Sequence, residues 1–216
     1  MAEIHAKESE KSVNWVSLAR NTELSEDTIR ALQNVLNWST ISKYQKLSEA
    51  FILEFKNKVD WEAICEYQTL SEAFMRANTD KIVWEKVSEH QKLGESFILE
   101  FKNYLNWEKI SQHQTLSAQF IHDYHHLLNM KLVSKHQRLD IGTITALKDK
   151  LDMASIFRYQ ELSENFVLEH IKDIEGEDIC DALVLNSNIS NTVLNTVYKR
   201  WVLHYLREIC RKVSHM

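Results

Sequence analysis

Trp15, Trp38, Trp61, Trp84 and Trp107 stand 23 residues apart without a slip, and Met130 and Met153 continue the column. Leu24, Leu47, Leu70, Leu93, Leu116, Leu139 and Leu162 keep the same phase, and so do Gln45, Gln68, Gln91, Gln114, Gln137 and Gln160. A fixed period between about 20 and 50 residues is the signature of stacked units, none of which can bury its apolar face alone. The chain divides accordingly into a polar segment 1–12, seven 23-residue repeats over 13–173, and a non-repeating remainder 174–216.

One repeat can be parsed from Asp60 onward. Asp60 shares its column with Asn14, Asn37, Asn106, Asn129 and Asp152, side chains that accept from orphan backbone N–H groups at a helix start. Trp61, Ile64, Cys65 and Gln68 then fall at i, i+3, i+4 and i+7, the stripe of a short first helix. Ser71, with Ser25, Ser48, Ser117 and Ser163, supplies a second cap, and Glu49, Glu72, Glu95 and Glu164 place negative charge in the first turn of a second helix. Phe74, Met75 and the column of Phe55, Phe101, Tyr124 and Leu147 are the buried face expected for that helix. Helices of about eight to ten residues do not persist alone in water. The fold expected is therefore all-α, an α-solenoid of stacked helical hairpins with an irregular C-terminal helical cap. The absence of proline and the presence of only three glycines agree with it.

A second period overlies the first, because FILEFKN stands identically at 51–57 and at 97–103. Toward the ends the pattern decays: Thr22 and Thr28 replace glutamine and phenylalanine in the first repeat, and Asp140, Gly142 and Thr143 break the sixth. Beyond Gly176 the pattern stops, and Glu177 to Met216 reads as unlike helices, the last carrying Val193, Val197, Trp201 and Tyr205 at steps of four. This block is expected to cover the end of the stack.

With 44% apolar and 26% charged residues the chain can bury a core, and no apolar run approaches the roughly 20 residues that span a bilayer. The opening MAEIHAKESEKS has no apolar stretch of the secretory kind, so a cytoplasmic location and no membrane contact are expected. Three scattered cysteines, Cys65, Cys180 and Cys210, form neither a disulfide framework nor a zinc knuckle. A formal net charge of −5 argues against a surface that grips nucleic acid throughout.

The repeat resembles the short tandem α-helical repeats, W-x-x-I-S-x-x-Q-x-L-S-E-x-F-I, found in proteins of large DNA viruses and bacteriophages. Here the pattern is carried by Trp38, Ile41, Ser42, Gln45, Leu47, Ser48, Glu49, Phe51 and Ile52 and their counterparts, over about three quarters of the chain. The resemblance implies a viral or phage interaction protein acting inside its host, and it brings no catalytic residues.

No nucleophile, base and orienting group recur together, so no catalytic, cofactor-binding or metal-ligating residue is assigned and a non-enzymatic role is expected. Glutamine once per repeat beside leucine reads as a ladder bonded to turn backbone. The Trp column reads as core, with Trp61→Ala costing about 3 to 5 kcal/mol. Tyr44, Tyr67, His90, His113, His136 and Tyr159 form either a contact strip or a half-buried packing column; repeats about 10 Å apart cannot bring those imidazoles onto one ion. His122, His125 and His126 lack an acidic or cysteine partner at metal-site spacing.

Lys43, Glu66, Glu89, Gln112, Lys135 and Arg158 vary in sign on an unvarying frame. Together with the Tyr–His column they are the candidates for binding a protein partner, a host component occluded sterically if the viral resemblance holds. The alternative is nucleic-acid binding through Lys199, Arg200, Arg207, Arg211 and Lys212 on the last helix, whose blander reading is a cap with a solvated basic face. Self-association through the end of the stack near Trp201 is a third reading.

Overall fold

A computed structural model describes residues 14–170 and 177–214, with side chains over 14–170, at 181–200 and at 202 and 203. The regular secondary structure of the described residues is all helix, with no strand. Seven helix pairs follow the repeat: α1 (Trp15–Asn21) and α2 (Glu26–Ala31), α3 (Trp38–Tyr44) and α4 (Glu49–Glu54), α5 (Trp61–Tyr67) and α6 (Glu72–Ala77), α7 (Trp84–His90) and α8 (Glu95–Glu100), α9 (Trp107–His113) and α10 (Ala118–Tyr124), α11 (Met130–His136) and α12 (Ile141–Ala146), α13 (Met153–Tyr159) and α14 (Glu164–His170). Two further helices, α15 (Glu177–Val184) and α16 (Asn191–Ser214), complete the α-solenoid at its C-terminal end. The chain forms two compact units, Met1–Leu105 and Asn106–Met216.

The paired helices are six or seven residues long, shorter than the eight to ten expected. Their ends explain this. From the second repeat on, each first helix stops where glutamine turns the backbone extended (Gln45 φ −99°, ψ 147°), and Thr22 does the same in the first repeat; second helices give way to a tight turn, as where Lys58 and Val59 N–H both donate to Phe55 C=O. Asn14, Asn37, Asp60, Asn106 and Asn129 cap first helices as expected. Asp152 does not; its carboxylate accepts from the Ser155 hydroxyl at 2.6 Å instead. All five expected serines cap second helices, since each side chain accepts the backbone N–H three residues on. In the sixth repeat Asp140 takes over the cap by accepting from Thr143 N–H at 2.7 Å, which holds its carboxyl below the ordinary range.

Within each unit the closest backbone packing runs between successive first helices: α1, α3, α5 and α7 in one, α9, α11, α13 and α15 in the other. Two ladders hold these helices together in opposite directions. The Gln68 amide reaches back a full repeat, donating to Ser42 and Gln45 C=O, each at 2.8 Å, and accepting from Leu47 N–H at 3.0 Å. It thereby satisfies carbonyls that the end of α3 leaves without an intrahelical donor. Gln45, Gln91, Gln137 and Gln160 make the same three bonds to the repeat before them. The second ladder runs forward: buried Ser42, Ser111 and Ser134 accept at 2.9 to 3.0 Å from the backbone N–H of the residue that precedes the next repeat's first helix. Cys65 performs this role with its thiol, at 3.4 Å from Val83 N. Among the described residues every buried side-chain polar atom has a partner.

The core is formed by Ile41, Ile64, Val87, Phe51, Phe97, Ile52, Met75 and Ile98 in the first unit and by Ile110, Val133, Ile156, Ile121, Ile144 and Val167 in the second. The Trp column departs from the core reading, because Trp15, Trp38, Trp61, Trp84 and Trp107 are only half-buried. Standing at the first residue of its helix, the indole lies across the edge of the hairpin. It stacks on the phenylalanines of the second helix, Trp38 on Phe55 at 4.9 Å and Trp84 on Phe101 at 4.8 Å, while Trp38 and Trp61 Nε1 donate to the preceding turn at Gln33 and Lys56 C=O.

The C-terminal block is less foreign to the array than the end of the sequence pattern suggests. Helix α15 takes the next place in the first-helix layer, and Asn186 acts as one more rung, donating to Phe157 and Gln160 C=O at 2.8 and 2.9 Å. At the serine position the seventh repeat has buried Phe157, so the serine ladder ends there. Val193 and Val197 are buried as the step of four predicts; Trp201 and Tyr205 have side chains outside the described residues, as do Cys180 and Cys210, and the segment 1–12 and Gly176 lie wholly outside them.

Two stability measurements check the ladders. Gln68→Ala strips one donor pair and one acceptor from a buried turn and is expected to lower unfolding free energy by about 2 to 4 kcal/mol in urea, whereas exposed Lys46→Ala should stay within about 0.5 kcal/mol. Ser42→Cys should be tolerated because Cys65 fills the same role. Ser42→Val, which leaves Asp60 N–H without its acceptor, should cost about 1 to 3 kcal/mol.

Candidate partner-binding strip

The two variable columns occupy the last two residues of each first helix. All six members of the Tyr–His column are exposed: Tyr44, Tyr67 and His90 in the first unit, His113, His136 and Tyr159 in the second. Of the two readings left open by the sequence, a half-buried packing column is therefore the one the burial pattern disfavours. Beside them Lys43, Lys135 and Arg158 are exposed, and Glu66, Glu89 and Gln112 half-buried. Both columns stand where a helix leaves its last carbonyls and a partial negative charge, a setting that favours the cations.

Neighbouring repeats pair these residues. The Arg20 guanidinium lies 5.0 Å from the Tyr44 ring centroid and donates to its hydroxyl at 3.2 Å. Lys43 Nζ lies 4.5 Å from the Tyr67 centroid and 5.5 Å from that of Tyr44, and the Tyr67 hydroxyl is the main group holding its ammonium above the ordinary lysine range. In the second unit Lys135 Nζ and the Arg158 guanidinium stand 5.4 and 5.3 Å from the Tyr159 centroid. Such cation–π contacts contribute about 0.5 to 1 kcal/mol at exposed sites and fix the ring orientation.

Glu66 follows a different course. Lys86 Nζ bridges it, at 2.5 Å, to Glu62 at 3.4 Å, and this lysine, followed by the Tyr67 hydroxyl, holds the Glu66 carboxyl below the usual carboxylate range. The sequence carries a signal for this arrangement. Arg20, Lys43 and Lys135 each precede a tyrosine by 24 residues, whereas Glu66, Glu89 and Gln112 precede His90, His113 and His136 at that spacing. Part of the sign variation in the column thus tracks which ring the next repeat presents.

The remaining candidates are not brought to this strip. Lys199 and Arg200 are exposed on α16; Arg207, Arg211 and Lys212 share its helical backbone, but their side chains are outside the described residues. His122 Nδ1 lies 3.1 Å from Asp123 Oδ1, and His125 Nδ1 bonds the His122 carbonyl at 2.9 Å. Among the described residues no three His, Cys, Asp or Glu side chains are grouped to hold a metal ion, and no helix is long and apolar enough to cross a membrane. Burial raises the Cys65 thiol above its ordinary pKa, against the opposing hydrogen bond from Val83. Comparison of the chain with protein-family models, curated proteins and solved structures finds no match.

Titration of the strip is open to direct observation. Though exposed, the His136 ring loses some of its water to the neighbouring repeat, and this desolvation first, then the charges of Lys135 and His113, holds it below the ordinary imidazole pKa. A lowered folded-state value means that the unfolded chain binds the proton more readily. Its contribution to stability is thus complete above about pH 6.5 and declines as pH falls through that value. NMR titration should place the His136 midpoint below that of a model imidazole, and Lys135→Met should move it upward.

Proposed function

We propose that this chain is a non-enzymatic protein-binding repeat scaffold whose contact surface is the Tyr–His strip with its flanking charged column. The observation that carries this reading is the presentation of large aromatic rings in open positions with their orientation already set. Tyr44, Tyr67 and Tyr159 are 40%, 46% and 44% exposed, yet each lies against a cation supplied by its own or a neighbouring repeat. Tyrosine carries large contact area on few rotatable bonds, and a ring held before binding loses little entropy on association. Short helices locked by amide and serine ladders supply the rigid support that such a strip needs.

The resemblance to viral and phage repeats supports an intracellular setting and a host protein as partner, with occlusion of a host defence component as the sharper form of the proposal. The test is affinity capture of tagged protein from the lysate of its cell at physiological salt, with and without nuclease, beside a Tyr44→Ser, Tyr67→Ser variant. A protein retained after nuclease treatment and reduced roughly tenfold with the folded variant is expected, as for loss of a contact hot spot. Recovery that vanishes with nuclease, or that ignores the two tyrosines, would overturn the reading; the first outcome would direct attention to the basic face of α16.

A further inference from the structure

In the second unit a surface cleft of about 240 Å³ opens among Ile144, Lys148, Met153, Phe157, Phe166 and His170. Its position in the repeat says what shape it fits. Met153 stands in the tryptophan column, Phe166 and His170 occupy the two ring positions against which the indoles of Trp38 and Trp84 pack, and Lys148 occupies the turn position whose carbonyl receives indole N–H from Trp38 and Trp61. The cleft is the indole seat of the seventh repeat, vacated by the change from tryptophan to methionine. Its far wall is set: His170 Nδ1 bonds the Phe166 carbonyl at 2.9 Å, and the two rings stack at 4.1 Å. Ile144 is fully buried and Phe157 nearly so, which makes the floor apolar, while Lys148 and Asp149 stand exposed at the rim.

We infer that this cleft binds the indole of a tryptophan side chain presented by a partner polypeptide, with the ring lying against Phe166 and His170 and its N–H directed to the Lys148 carbonyl. The chain itself supplies the template, since in other repeats the same place is filled by an indole that arrives on polypeptide and makes those contacts. An offset-stacked aromatic in an apolar seat gains both from burial and from the ring quadrupoles, and the N–H leaves water only because a carbonyl receives it. None of the residues of the Tyr–His strip lines the cleft, so this inference and the proposed function fail independently.

The experiment is a methyl NMR titration of the full chain, labelled at isoleucine, with N-acetyl-tryptophanamide, indole and 1-methylindole as probes. Saturable shifts of the Ile144 methyl with the first two are expected. The third, which cannot donate, should bind about fivefold more weakly, the loss of roughly one hydrogen bond. Met153→Trp should refill the seat, abolishing the shifts and raising the thermal midpoint; Met153→Phe serves the same purpose should the larger ring not fit. No saturable shift in the native chain, equal shifts in the refilled and folded variant, or binding of indole without N-acetyl-tryptophanamide would overturn the inference. The last of these would assign the cleft to a free small aromatic molecule.

Discussion

A side-chain amide that completes the backbone of the preceding repeat is the interaction on which the other features of this fold depend. Seven-residue helices have almost as many orphan backbone groups as paired ones, and their nucleation cost is never recovered in isolation. With glycine nearly absent, these first helices do not end in the left-handed glycine cap that many helices use. Instead the glutamine of the next repeat donates to two of the last carbonyls and accepts the first N–H beyond the turn, as Gln68 does for α3. A carboxylate in that place could not donate, and a thioether could not donate and accepts only weakly, which is a physical reason for the regularity of the column. Asn186, one methylene shorter, keeps the two donations to Phe157 and Gln160 where a non-repeating helix takes the next place.

The serine ladder is the complement of the glutamine ladder. Ala19, Ser42, Cys65, Ser111 and Ser134 are small residues at the first-helix position whose carbonyl receives the amide of the next rung. Where no further repeat follows in register, the position becomes Phe157 and its volume fills the core instead. Within a unit, an interior first helix such as α5 or α11 is therefore finished by its neighbours on both sides, and the stability of a repeat is a nearest-neighbour property rather than its own.

The double period gains a physical content on the second helices of the first unit. Arg30 reaches Glu54 at 2.9 Å and lies over the Phe51 ring at 5.1 Å; Arg76 reaches Glu100 at 2.8 Å and lies over Phe97 at 4.9 Å. Odd repeats supply the cation and even repeats, those carrying FILEFKN, supply the acceptor and the ring. The even repeats also collect the fuller aromatic clusters, Trp38 with Phe51 and Phe55 and Trp84 with Phe97 and Phe101. In the second unit these fillings thin out: Thr143 stands for a phenylalanine and Met130 and Met153 for tryptophans, and clefts line the second helices there.

Periodicity by itself determined the all-α solenoid, the number of hairpins, the caps at Asn14, Asp60 and Ser71, and the structural role of glutamine, because those follow from which residue types recur at helical spacing. It did not disclose that glutamine serves the repeat before its own, that Ser42 and its counterparts hold the repeat after, or that Asn186 continues the series; these bonds join residues about 18 to 29 apart, and only packing brings such groups within hydrogen-bond range. Tryptophan recurring on an apolar stripe reads as core, yet its place at the first residue of the helix leaves an edge open, a matter of where the hairpin ends rather than of hydrophobicity. The exposure of Tyr44, Tyr67 and Tyr159 and their pairing with Arg20, Lys43 and Lys135 were likewise decided by tertiary structure, because the contacts join successive repeats through the offset between stacked helices. A sequence states which chemistry recurs; the rise from one repeat to the next decides which of those groups meet.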